Sequence, residues 1–268
     1  MDTKLQFDGF LNTPSLWKTN PVNTLHQFPI SRTTPTTILP EFNPNLPLGK
    51  LVEQFVFHAL NEDPSAQILS QNLQIQKGKI SIGEIDCLLK QSNQVTHLEI
   101  VYKFYLYDEN IPGTDLHKWI GPNRNDNLIK KLTKLKDKQL PLLFKDETQK
   151  TLTSLHGEMN FQDMLQKVLF KAQLFAPINL LSSSFPSINN NCIKGFYISF
   201  DELMKLKPNT FHISDKRNWL TDPHLNVEWI EFESLKSQIE IYHSKSKSPL
   251  CWLKNPNGTM QKFFVVWW

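Results

Sequence analysis

The chain has 268 residues, 40% of them apolar, enough to bury one large core or two modest ones and too many for disorder to dominate. Only 9 Gly against 18 Phe and 7 Trp disfavours a Gly-rich barrel and points to a thick aromatic interior. With 29 Lys and Arg against 26 Asp and Glu the net charge is +3, too small by itself to assign an anionic partner. Cys87, Cys192 and Cys251 stand far apart with no CxxC spacing, so neither a disulfide framework nor a structural zinc site is expected, and a reducing cytoplasm fits best. No stretch approaches the ~18 apolar residues of a membrane span, and residues 1–10 lack the basic-then-apolar pattern of a secretory leader, so a soluble intracellular protein is expected.

Residues 1–46 hold Pro14, Pro21, Pro29, Pro35, Pro40 and Pro44 among many Thr and Asn, a density that interrupts helices and central strands. This reads as an arm, and Phe7, Phe10, Leu16, Trp17 and Phe28 predict that it packs on a body formed by residues 47–268. The first strong helix is predicted to begin between Pro47 and Lys50. Leu51, Val52, Phe55, Val56, Phe57, Ala59 and Leu60 cover nearly all its sides, which implies burial on more than one face, and Glu53 inside that surround requires a partner. Residues 73–76, 79–90 and 95–107, divided by Gly78 and by a turn at 91–94, predict consecutive antiparallel strands. After the turn residues Gly121, Pro122 and Asn123, the spacing of Leu128, Leu132, Leu135 and Gln139 predicts a helix to about Leu143. Beyond Thr148, the runs 168–178, 193–200, 227–232 and 263–268 read mostly as strands and 182–191 and 244–248 as loops. Residues 150–268 are therefore expected to elaborate one sheet-based core.

The informative segment is the hairpin. Along 84–89 and 97–104 each strand has one apolar face, and the other carries Glu84 and Asp86 on one strand and His97, Glu99 and Lys103 on the next. A turn centred between Ser92 and Asn93 sets Cys87 opposite Leu98 and Asp86 opposite Glu99. Directly opposed residues have β-carbons about 4.5–5.5 Å apart, where like charges destabilise. A divalent cation such as Mg²⁺ held by oxygen ligands offsets that repulsion, with Glu84 and Glu53 as further ligands or supports and Lys103 to stabilise a developing anion or assist a water. The competing reading is the solvated face of an ordinary hairpin.

At these residues the sequence resembles the PD-(D/E)XK nuclease superfamily, and more closely a bacterial domain-of-unknown-function family, numbered eighteen fifty-three, assigned to it. The likeness rests on Gly83-Glu84-x-Asp86, Leu98-Glu99 with Lys103-Phe104-Tyr105-Leu106, and Trp119-Ile120-Gly121-Pro122-Asn123 with Asp126 and Leu128. It implies an α/β fold with a mixed sheet core flanked by helices and C-terminal strands added. It further implies Asp86 and Glu99 as ligands of Mg²⁺ or Mn²⁺, with Glu84 and Glu53 completing the shell, Lys103 as the catalytic lysine, and phosphodiester cleavage. One departure stands out: three residues separate Glu99 from Lys103, and Val101 occupies the usual lysine position.

Lys130, Lys134 and Lys138 fall at i, i+4 and i+8, with Arg124 and Lys131 nearby, a stripe able to track a phosphate backbone or simply to solvate a helix. Gln139 lies on the apolar side and reads either as a residue sent toward a phosphate or as a satisfied core amide. Nucleic acid, DNA before RNA, is the expected partner of a nuclease so built; the rival is a nuclease-like fold that binds nucleic acid or protein without cutting. His97 reads as a neighbour of the carboxylates or as a partly exposed strand residue. The C-terminal run 263–268 reads as a closing strand before a stacking surface.

Overall fold

The computed structural model describes residues 2–18, 20–30, 40–43 and 45–268; Pro35 and Pro44 lie outside these. In chain order the elements are α1 (Thr3–Asn12), α2 (Leu48–Asn61), β1 (Ala66–Lys77), β2 (Ile80–Gln91), β3 (Gln94–Tyr107), β4 (Trp119–Ile120), α3 (Leu128–Lys134), α4 (Asp146–His156), β5 (Leu165–Pro177), β6 (Ile193–Ser199), β7 (Thr210–Ile213), α5 (Phe232–His243), β8 (Leu250–Lys254) and β9 (Met260–Val266). The strands make one mixed sheet in the order β1-β2-β3-β5-β6-β9-β8-β7, with β4 paired to β3. The β5–β6 and β6–β9 pairs are parallel, whereas β1–β2, β2–β3, β7–β8 and β8–β9 are antiparallel. No helix among the described residues is long and apolar enough to cross a membrane.

The chain divides into two compact units, each built from separated stretches. The first takes Met1–Pro14, Lys103–Ile129 and Ala172–Trp268, the second Ser15–Tyr102 and Lys130–Lys171.

In the first unit, α5 lays Phe232, Leu235 and Ile239 on inward residues of β6, β7 and β9, among them Phe196, Phe211 and Phe263. Residues 227–232 do not form the expected strand. Ile230 makes one bridge to Phe211, and the chain then turns into α5. The helical spacing that continues from Phe232 through Leu235 to Ile239 outweighs a short apolar run. Helix α1, absent from the sequence reading of a proline-rich arm, also belongs here. The Asp2 carboxylate caps it by accepting the Lys4 and Leu5 N–H groups, and Pro14 lies just past its end rather than inside it. Glycine is required at 195, where β6 approaches β9 so closely that a β-carbon would lie 2.0 Å from the Lys262 carbonyl oxygen. The Lys262 side chain is itself buried, donating to Gln173 Oε1 (2.8 Å) and the Trp219 carbonyl (3.0 Å).

In the second unit, β1, β2 and β3 form a meander on which α2 and α4 pack through β1. Strand β1 begins at Ala66, well before the predicted residue 73. Gly83 has its own requirement: a β-carbon there would meet the Leu142 side chain at 2.5 Å. The first half of β5 is covered by the segment after α1. Leu16 N–H donates to the Phe170 carbonyl (2.8 Å), Phe28 N–H donates to the Val168 carbonyl (2.9 Å), and Trp17 packs edge-on against Phe170. A strand edge that would otherwise offer unpaired backbone groups is thereby occupied.

Candidate functional site

The β2–β3 ladder runs from Gln91 opposite Gln94 to Cys87 opposite Leu98, around a two-residue turn in which Ser92 takes a positive φ of 54°. This is the register read from the sequence. The ladder ends one step before Asp86 and Glu99, so the two acids sit where the strands part. Both are buried, Glu99 completely, and the hairpin face that carries them is not solvated. Asp86 Oδ2 accepts the Ile100 N–H at 2.9 Å, which orients its carboxylate along the gap. Burial pushes both carboxyls up to about 7. For Asp86 the neighbouring Glu99 adds to the rise, and the Ile100 N–H and Lys131 oppose it; for Glu99, Lys131 and a hydrogen bond with Asp86 oppose the burial. Two acids this close and this dry titrate as a pair.

A second group forms on the outer side of Asp86. Carboxylate oxygens of Glu53, Glu84 and Asp86 all lie within 4.8 Å of one another. Glu53 comes from α2, which is apolar on nearly every side, and Lys50 is the partner its burial demanded. Burial raises its carboxyl, which the hydrogen bond from Lys50 opposes. Lys50, one turn earlier on α2, extends its ammonium to Glu84 Oε1 at 2.6 Å, Glu53 Oε2 at 2.7 Å and Asn72 Oδ1 at 3.2 Å. Gln74, paired with Glu84 across β1 and β2, donates to Glu84 Oε2. Sequence reasoning missed Lys50, Asn72 and Gln74; the i, i+3 spacing of Lys50 and Glu53 was the one available signal.

Glu99, also expected among the ligands, stands outside this trio. One of its oxygens takes a hydrogen bond from Gln139, and the other faces His97 Nε2 at 3.0 Å. His97 is fully buried, not a partly exposed strand residue, and burial holds its imidazole down at about 4. The contact is therefore a neutral Nε2–H donating to Glu99, with Nδ1 facing the Gln166 amide at 3.4 Å.

Gln139 reaches Glu99 because the predicted helix is not regular. After α3 the chain makes a π turn at Leu135–Gln139, closed by Leu140 N–H donating to the Leu135 carbonyl, and then a 3-10 turn over Leu140–Phe144. The extra residue turns Gln139 toward the acids, where its amide donates to Glu99 and its oxygen accepts from Lys131 Nζ at 2.8 Å. Gln139 is thus a satisfied amide, as one of the two sequence readings has it, with Glu99 and Lys131 as its partners. The same turn breaks the i, i+4 stack expected of Lys134 and Lys138; these two and Lys130 are exposed.

A family model described as a domain of unknown function, DUF1853, matches residues 9–266, nearly the whole chain, including the N-terminal segment and the C-terminal strands. The chain belongs to the DUF1853 family. No curated protein and no solved structure matches it.

Two residues expected in this DUF1853 site have other partners. Lys103 belongs to the first unit, where its ammonium is 2.6 Å from Asp126 Oδ2. Arg124, also in that unit, pairs with the buried Asp108 at 2.7 Å and lies 4.2 Å over the Trp268 ring. Trp268 in turn donates from Nε1 to the Pro122 carbonyl, and Ser248 N–H donates to Asn123 Oδ1. The Gly-Pro-Asn motif is thus the pinned loop that carries Asp126 to Lys103. Residues 263–266 form a buried strand, as read from the sequence, but within β9, which lies between β6 and β8 rather than at the end of the sheet.

The donor set fits a hard divalent cation. Three carboxylates from two elements, α2 and β2, converge to within 4.8 Å, an all-oxygen donor set of the chemistry that hard cations take.

Proposed function

We propose that the chain is a divalent-metal-dependent phosphodiesterase with a PD-(D/E)XK-like core, acting on nucleic acid, DNA before RNA. The observation that carries this reading is the convergence of Glu53, Glu84 and Asp86, with buried Glu99 directly behind them. Glu53, Glu84 and Asp86 would hold Mg²⁺ or Mn²⁺, which when bound supplies charge neutralisation at a phosphoryl oxygen and a more acidic water. Glu99, held by His97 and Gln139, fixes Asp86 and is the nearest further carboxylate for a proton. Lys131, linked to Glu99 through Gln139, and exposed Lys130, Lys134 and Lys138 supply positive charge along the same stretch to meet a phosphate backbone. Three buried free cysteines accord with a reducing cytoplasm.

A second reading, a nuclease-like module that binds without cutting, is favoured by one observation: Val101 stands at the usual lysine position and Lys103 is engaged by Asp126. Incubation with single-stranded, duplex and branched DNA and RNA in Mn²⁺, with Asp86→Ala alongside, separates the two. Metal-dependent cleavage lost in the variant supports the enzyme. Substrate binding without cleavage by wild type supports the module, and cleavage that survives Asp86→Ala rejects this site.

A further inference from the structure

We propose that Lys50 is the built-in counter-ion of the carboxylate trio, and that a divalent cation enters by displacing its ammonium. This rests on the metal-site reading above and adds a residue to it. Three carboxylates within 4.8 Å of one another repel in their charged forms. The Lys50 ammonium answers this. Its three acceptors, on Glu84, Glu53 and Asn72, match its three donors, so it is saturated where it sits. It bridges α2 and β2 by contacting the two outer acids, while Asp86 keeps its own bond to the Ile100 N–H.

The geometry also provides a way out. The Lys50 side chain is 40% exposed, whereas the Glu53 and Glu84 side chains are only 11% and 25% exposed. The ammonium, on a flexible four-carbon stem, leaves into solvent without moving the helix backbone, and the acids stay. A divalent cation brings two charges where the ammonium brought one and accepts oxygens from all three acids. Metal binding is then an exchange of cations at a standing site, and its affinity is set by competition with Lys50.

Calorimetric titration of Mn²⁺ into wild type, Lys50→Met and Lys50→Arg reads this directly. Lys50→Met, which keeps the stem and loses the charge, is expected to bind Mn²⁺ at least tenfold more tightly than wild type, and Lys50→Arg to bind it as wild type does. Equal or weaker binding by Lys50→Met overturns the proposal. A measurement on wild type stands apart from any folding defect: acylation of Lys50 by an amine-reactive ester, followed by mass spectrometry, should rise several-fold at saturating Mn²⁺. No change overturns the exchange. Parallel cleavage assays keep the two claims apart. Tighter binding in Lys50→Met with no cleavage by any variant leaves the exchange standing and removes the enzyme, whereas equal binding with cleavage does the reverse. No binding by any variant removes both.

Discussion

Asp86 and Glu99 share a cost. Each is buried, each is pushed toward neutrality, and each is held by particular groups: the Ile100 N–H for one, His97 and Gln139 for the other. Burying two neighbouring acids costs stability. Asp86→Asn keeps an acceptor for the Ile100 N–H and removes one of the two acids. In the absence of divalent ions at pH 8 it is expected to stabilise the protein by about 1–2 kcal/mol, one pKa unit being worth about 1.4 kcal/mol. Denaturant melts of both proteins check this; a less stable variant would show that the pair contributes net stability. Lys262 carries a pH dependence of its own. Burial lowers its ammonium from 10.5 to about 7, against the pull of Asp222. Between those values the unfolded chain binds a proton that the native state does not, so stability rises with pH from about 7 toward 10.5. Thermal melts at pH 7 and 9.5 should show this rise in wild type and a flatter profile in Lys262→Met, which cannot titrate.

The π turn after α3 decides what Gln139 does. Its effect is set by one extra residue, and Asp137, exposed within the turn, is the residue to remove. Deleting Asp137 returns the segment to α-helical spacing and swings Gln139 off Glu99. The expected result is nearly unchanged helicity by circular dichroism with Mn²⁺ affinity lowered severalfold, because Glu99, released from Gln139, no longer steadies the proposed ligand Asp86. Retained affinity would show that the Gln139 bond is incidental. The turn was not legible in the sequence, because Leu128, Leu132, Leu135 and Gln139 fit an unbroken helix; the i→i+5 bond arises where Leu142 and Leu143 must pack on β2 and α4. By contrast the hairpin was legible down to its register. Alternation on both strands and a two-residue turn leave one pairing that puts apolar residues on one face, and the ladder follows it as far as Cys87 and Leu98. The partner of Lys103 was not legible, because face alternation says which side a residue takes and nothing about a partner brought by a loop, here Asp126.

On the scale of the whole molecule, the motifs that identify the family do not delimit a folding unit. Residues 48–143 contain them all, yet the second unit also needs residues 15–28 and the first half of β5, and its α4 lies past 143. A fragment 48–143 is expected to lack cooperative unfolding by circular dichroism, while the full chain melts with a defined transition. A cooperative melt of the fragment would show that those additions are dispensable. The C-terminal half was the least legible part, since 227–232 and the short β7 and β8 carry too few residues for a period to declare itself, and their pairing is set by partners distant in sequence.

The way the two units interleave also bears on the order in which the protein is made. The second unit holds all its residues once Lys171 has been synthesised, with 97 of the 268 still to come. At roughly 5–20 residues per second, those residues take about 5–20 s, during which α1 waits for Leu220, whose carbonyl its Gly9 approaches, and for the rest of its own unit. During that interval the Phe7 and Phe10 side chains, buried in the finished unit, lack the later residues that bury them.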